Sequence, residues 1–135
     1  MSQLPLLCLD LGTRLGWATR ELSGSVNFWS DPYDQAIDNH ARLFDRFSAW
    51  LGDQVFIHKP AVLVLEKNPA LKGAAAPVLL GLRAVALVIG YRHELVLDEL
   101  PNLGRRPADK SDENDAKRLL ARWDATRAHL IREAA

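Results

Sequence analysis

The sequence predicts a mixed α/β fold: a sheet that starts as a hairpin and continues through helical crossovers. Three observations carry this. The short runs "PLLCLD" (5–10) and "AVLVLE" (61–66) are almost continuously apolar, as strands covered on both faces are. "SGS" at 23–25 is a turn signal between two loosely alternating segments, which reads as a hairpin. From residue 34 onward, segments with helical spacing alternate with short apolar runs, the pattern of strands joined across helices.

The elements follow in order. Residues 5–10 are the first strand and "LGT" a turn. "GWATREL" (16–22) is a second strand, paired as a hairpin with a third, "VNFWS" (26–30). Over 34–51 the period changes: Ile37, Ala41, Phe44, Phe47 or Ser48, and Leu51 recur on one helical face, with Asp34 after Pro32 as a start signal. Residues 61–66 are the fourth strand. A helix of small and aliphatic residues fills 73–91, and "ELVLDEL" (94–100) is a fifth strand stopped by Pro101. The last helix spans 112–132, with Ala116, Leu119, Leu120, Trp123 and Ile131 inward and Arg118, Arg122, Arg127 and Arg132 mostly off that stripe. The order is βββαβαβα in a five-stranded sheet, with helices expected on both faces.

The 135 residues are enough for one domain with a real core, and 1–135 is read as a single unit. A formal net charge of zero argues against binding nucleic acid through overall positive charge, though not against a local basic face. The lone Cys8 lies inside the first apolar run and reads as a small core residue. The longest apolar stretch, 74–91, is interrupted by Pro77, Gly81, Arg83 and Gly90, so it is a buried helix rather than a membrane span. No secretory leader is recognisable, and a cytoplasmic location with no membrane partner is expected.

Four acids stand out by position. Asp10 ends the first strand and Glu66 the fourth, each after an apolar run. If those strands are neighbours, the two carboxylates meet at the carboxyl end of the sheet, where ligands collect in such folds. Asp112 and Asp115 are three apart at the start of the last helix and so share a face. Singly, each has an ordinary role: an Asx turn cap for Asp10, a strand-end surface residue for Glu66, helix-start acids for the other two. Together they would repel unless neutralised. A pair of hard divalent cations, Mg²⁺ or Mn²⁺, suits an all-oxygen set. Two such ions about 4 Å apart activate a water and stabilise a leaving oxygen in phosphodiester hydrolysis.

The assembled motifs resemble the RuvC-type Holliday junction resolvases, particularly small phage and prophage relatives, within the RNase H-like superfamily. "CLDLGTRLGWATRE" is similar to their first motif, "VLVLEKN" to the strand ending in Glu, "KGAAAPVLLGLRAVAL" to the helix that follows it, and "SDENDAKRLL" to the closing pair of Asp. The likeness extends over essentially the whole chain. The first motif is also shared with sugar-kinase and actin-like ATPases, which need two such domains, and with a pre-ribosomal-RNA nuclease family that fits Glu66 less well. The resemblance implies an RNase H-like fold and a Mg²⁺-dependent endonuclease that cleaves branched DNA as a homodimer. It implies Asp10, Glu66, Asp112 and Asp115 as catalytic metal ligands, with Asp10 bridging two ions. One stretch departs from the pattern: "PNLGRRPADKSDEN" stands where relatives carry a longer basic segment and a further short helix. That shortening keeps two other readings open, a non-catalytic nucleic-acid-binding or partner-binding module and a nuclease for structured RNA.

Lys67, Lys72, Arg105, Arg106 and Lys110 flank the acids and are candidate phosphate contacts, or equally ordinary loop cations. Trp17, Trp29 and Trp50 read as core or interface residues rather than base-stacking platforms. The four histidines are scattered and have no ligand spacing.

Overall fold

The computed structural model describes residues 3–12, 14–28, 37–67, 75–102 and 112–127. Its elements are β1 (Leu6–Asp10), β2 (Arg14–Ala18), β3 (Ser23–Asn27), α1 (Ile37–His58), β4 (Val62–Glu66), α2 (Ala75–Arg92), β5 (Val96–Leu100) and α3 (Asp112–Thr126). This is the expected βββαβαβα order. The five strands form one sheet in the order β3-β2-β1-β4-β5. β1–β2 and β2–β3 are antiparallel, and β1–β4 and β4–β5 are parallel.

The strand period of two divides the core. Leu7, Leu9, Leu63 and Leu65 face one side, where Leu43, Phe47, Leu51 and Val55 of α1 and Val78, Leu82 and Ala86 of α2 cover them. Leu6, Cys8, Val62, Val64 and Leu100 face the other, against Leu119 and Trp123 of α3. Helices therefore cover both faces, and the even-numbered positions of β1 and β4 belong to α3. Cys8 is a core residue on that side, and burial pushes its thiol up to about 12.

Two strands start earlier than expected. The hairpin turn is not "SGS" but Thr19–Leu22, which the Thr19 amide closes by donating to the Leu22 carbonyl at 2.7 Å. The Thr19 hydroxyl accepts from the Leu22 amide at 3.0 Å. This ST-type turn shifts β2 to 14–18 and β3 to 23–27, instead of 16–22 and 26–30.

Helix α1 runs on to His58, seven residues past the expected end, and Lys59 stops it in the left-handed region at φ 47°. Its inner stripe also differs. Asn39, Leu43, Phe47, Leu51 and Val55 are buried, whereas Ile37 is 85% exposed. A strict four-residue repeat wins because the helix packs along one straight ridge. Phe44 lies beside that ridge and meets Gly81 of α2. Of the predicted inner face of α3, Ala116, Leu119 and Trp123 are fully buried and Leu120 is packed against them. Ile131, Arg132, Trp29 and the 34–36 helix start lie outside the described residues. Among those described, no helix is long and apolar enough to cross a membrane.

Candidate active site

Parallel pairing of β1 with β4 runs Leu6↔Val62 through Leu9↔Leu65. Asp10 and Glu66 each follow the last of these pairs by one residue, so they close the two strands at the same end of the sheet. Both are even positions, so both point towards α3. The topology makes β1 and β4 neighbours, the condition on which the two strand-end acids were expected to meet.

Three side-chain anchors lay α3 across this face. Ser23 at the start of β3 donates to Glu113 at 2.5 Å, which with Lys117 holds the Glu113 carboxyl below its ordinary value. The Trp123 indole N–H donates to Asp98 of β5 at 2.9 Å. Arg20, beyond the end of β2, forms a two-pronged pair with Asp124 at 2.7 and 2.9 Å and donates through Nε to the Leu4 carbonyl. The helix thus crosses from β3 to β5 with Asp124 directed towards the start of β1. Its other edge carries Asp115, Arg118 and Arg122, spaced three and four apart so that they form one stripe.

That stripe meets the strand-end acids. Arg122 donates through Nη1 to Glu66 Oε2 at 3.0 Å and through Nη2 to the Pro101 carbonyl at the exit of β5. Arg118 pairs with Asp115 one turn back along α3. Burial raises the Glu66 carboxyl above its ordinary value; Arg122 opposes this by charge and hydrogen bond, the negative charge of Asp115 adds to it, and Arg118 opposes it, with a net upward result. Glu66, Asp115, Arg118 and Arg122 are thus one electrostatic unit. Asp10, at the end of β1, is partly buried.

Asp112 is the first residue of α3, one turn before Asp115; its side chain is outside the described residues, as are Lys72, Arg105, Arg106 and Lys110. Lys67 is exposed, and its backbone amide donates to the Leu100 carbonyl at 2.7 Å, fastening β4 to β5 beyond Glu66. Trp17 and Trp50 pack edge-on at 6.4 Å on the α1 face, away from the acids and in the core role expected for them. Sequence reasoning set Arg118 and Arg122 aside as off-stripe arginines. The signal that picks them out is their spacing from Asp115, which places them on the acidic edge of α3.

Whether the acids suit divalent metal ions rests on their chemistry. Glu66, Asp10 and Asp115 supply oxygen donors from three elements, and all-oxygen sets suit hard divalent ions. The donor set fits such ions in kind. Here Glu66 and Asp115 pair with arginines, and among the described residues no three His, Cys, Asp or Glu side chains are gathered as a cage.

The five-stranded mixed sheet with one helix across its acidic face and two behind is a fold shared with solved RuvC structures. RuvC from T. thermophilus in complex with a Holliday junction substrate superposes with a TM-score of 0.68 at 12% identity, over 93% of this chain and 97% of that one. A second Thermus thermophilus RuvC structure gives 0.58 at 13% identity, over 73% of this chain and 64% of that one. The yeast mitochondrial Holliday junction resolvase gives 0.52 at 15% identity, over 71% of this chain and 50% of that one. No protein-family profile matches the sequence, and no curated protein matches it.

Proposed function

We propose that this chain, as a single nuclease domain over 1–135, is a divalent-metal-dependent endonuclease acting on branched DNA. The observation that carries the reading is the parallel pairing that ends β1 in Asp10 and β4 in Glu66 at the same end of the sheet, with Asp115 of α3 close enough to raise the Glu66 carboxyl. It is supported by the shared fold with RuvC bound to a Holliday junction. In this reading Asp10, Glu66, Asp112 and Asp115 hold Mg²⁺ or Mn²⁺. When bound, two such ions activate a water and stabilise the departing oxygen of a phosphodiester. The protein's own part is to hold carboxylates on a rigid strand pair and a pinned helix. Lys67, Lys72, Arg105, Arg106 and Lys110 contact the DNA backbone.

The reading includes a homodimer. Leu80, Ala84, Val88 and Tyr91 lie at three- and four-residue steps along α2, and all four are exposed. Tyr91 is 78% exposed, and an apolar strip of this kind suits a second helix.

The test is incubation of a synthetic four-way junction with the protein and Mg²⁺ or Mn²⁺. Cleavage that disappears in Asp10→Asn and Glu66→Gln supports the reading. No cleavage by the wild type, or unchanged cleavage by Asp10→Asn, overturns it. A structured RNA run alongside separates RNA processing from junction resolution. The arginine pairs on Glu66 and Asp115 favour one second reading, a non-catalytic module that binds branched nucleic acid. Junction binding without cleavage in any divalent metal supports that reading.

A further inference from the structure

Helix α3 brings two positive charges into contact with two of the four acids. Arg122 is held on both sides, by Glu66 and by the Pro101 carbonyl. The pair is largely shielded, with side-chain exposures of 25% for Arg122 and 22% for Glu66. Arg118 holds Asp115 in the same way one turn earlier. A guanidinium at contact distance offsets a carboxylate's charge and takes up a lone pair of the oxygen it touches, so a cation arriving at that oxygen meets both repulsion and a partly occupied acceptor. Simple solvation does not explain the arrangement. Arginines elsewhere on the helix surface would make α3 equally soluble, whereas these two sit on its acidic edge.

We propose that Arg122 is a built-in counter-ion that competes with divalent metal for Glu66, so that loading the site requires Arg122 to release this carboxylate. Arg118 acts likewise on Asp115. The inference rests on the metal-dependent reading given above. The metal-free protein is thereby neutralised without a metal. The released guanidinium remains at the mouth of the site, where a DNA phosphate is its natural acceptor. Arg122 is a positioning residue in this scheme and acts through Glu66.

Mn²⁺ binding without DNA, followed by electron paramagnetic resonance and by titration calorimetry, tests this directly. A divalent ion about 6 Å from a guanidinium is opposed by enough energy, even in water, to weaken binding about tenfold. Arg122→Gln is therefore expected to bind Mn²⁺ about tenfold more tightly than wild type. Arg122→Lys keeps the charge and should stay within about threefold. Circular dichroism on each variant establishes that it is folded; if Arg122→Gln is not, Arg118→Gln, expected to tighten Mn²⁺ binding in the same direction, carries the comparison with wild type. Equal or weaker binding by the Gln variants, with measurable binding by the wild type, overturns the competition and leaves the metal site standing. No binding at millimolar Mn²⁺ by wild type and variants alike overturns the metal-dependent reading itself.

Discussion

Trp123 is the residue on which the position of α3, and with it the acidic edge, most depends. It is fully buried against Leu6, Cys8, Val62, Val64 and Leu100, and its indole N–H reaches Asp98 at 2.9 Å. Replacing it with Phe keeps a ring in the same slot and removes two things. The smaller ring leaves roughly 35–40 Å³ unfilled, worth about 0.9 kcal/mol at ~24 cal/mol per Å³. The hydrogen bond to a carboxylate is worth about 1.5 kcal/mol, at the low end because Asp98 keeps the Glu99 amide at 2.9 Å. The sum, about 2.5 kcal/mol, is a large share of the 5–15 kcal/mol typical of a domain. At about 3–4 °C per kcal/mol for a chain of this size, Tm should fall by about 9 °C. Trp123→Ala should cost about 4 kcal/mol. Urea denaturation followed by circular dichroism measures both, with the midpoint lowered and the slope unchanged. In an Asp98→Asn background, the Trp123→Phe loss should shrink by about 1 kcal/mol if the hydrogen bond counts as reasoned. A Trp123→Phe variant within about 0.5 kcal/mol of wild type would refute the account of how α3 is held.

Two further predictions concern α2 and the site. Gly81→Ala ought to stabilise an ordinary helix by up to about 1 kcal/mol. Here a Cβ at Gly81 would land in the Phe44 ring, and overpacking of about 1–3 kcal/mol should win. Thermal melting should show a lower Tm for Gly81→Ala, largely restored by adding Phe44→Leu; a higher Tm for the single variant would contradict the packing described. Glu66→Gln should stabilise the fold at neutral pH. The Glu66 carboxyl is raised in the folded state, so the folded chain holds that proton more tightly than the unfolded one. Its ionisation therefore costs stability, and the cost is complete above the folded pKa. Glutamine removes the charge and can still accept from Arg122. The Tm advantage of Glu66→Gln should be present at pH 7 and shrink towards pH 4; a less stable variant at pH 7 would count against the burial argument.

The order of elements was legible because each carries its own period. The apolar runs at 5–10 and 61–66 are too short for helices and too continuous for exposed strands. The acids that end them were legible too, since a charge closing a buried strand is costly without a purpose. Element boundaries were not. The turn at Thr19–Leu22 is made by one hydroxyl and one amide, and "SGS" is the louder signal in the sequence. On α1 the expected Phe47 and Leu51 are buried and Phe44 packs beside them, but Ile37 is exposed and the ridge runs through Asn39, Leu43 and Val55, which the spacing did not single out.

Local spacing thus determined what lies within one element: its period and which residues of α3 share an edge. Only the tertiary structure decided what that edge faces. Three anchors separated by long stretches of chain, Ser23 to Glu113, Asp98 to Trp123 and Arg20 to Asp124, turn Arg122 onto Glu66. An ion pair between residues 56 apart leaves no periodic trace in the sequence. Its partners come together through the packing of a helix on a sheet, and that packing brings a counter-ion to Glu66.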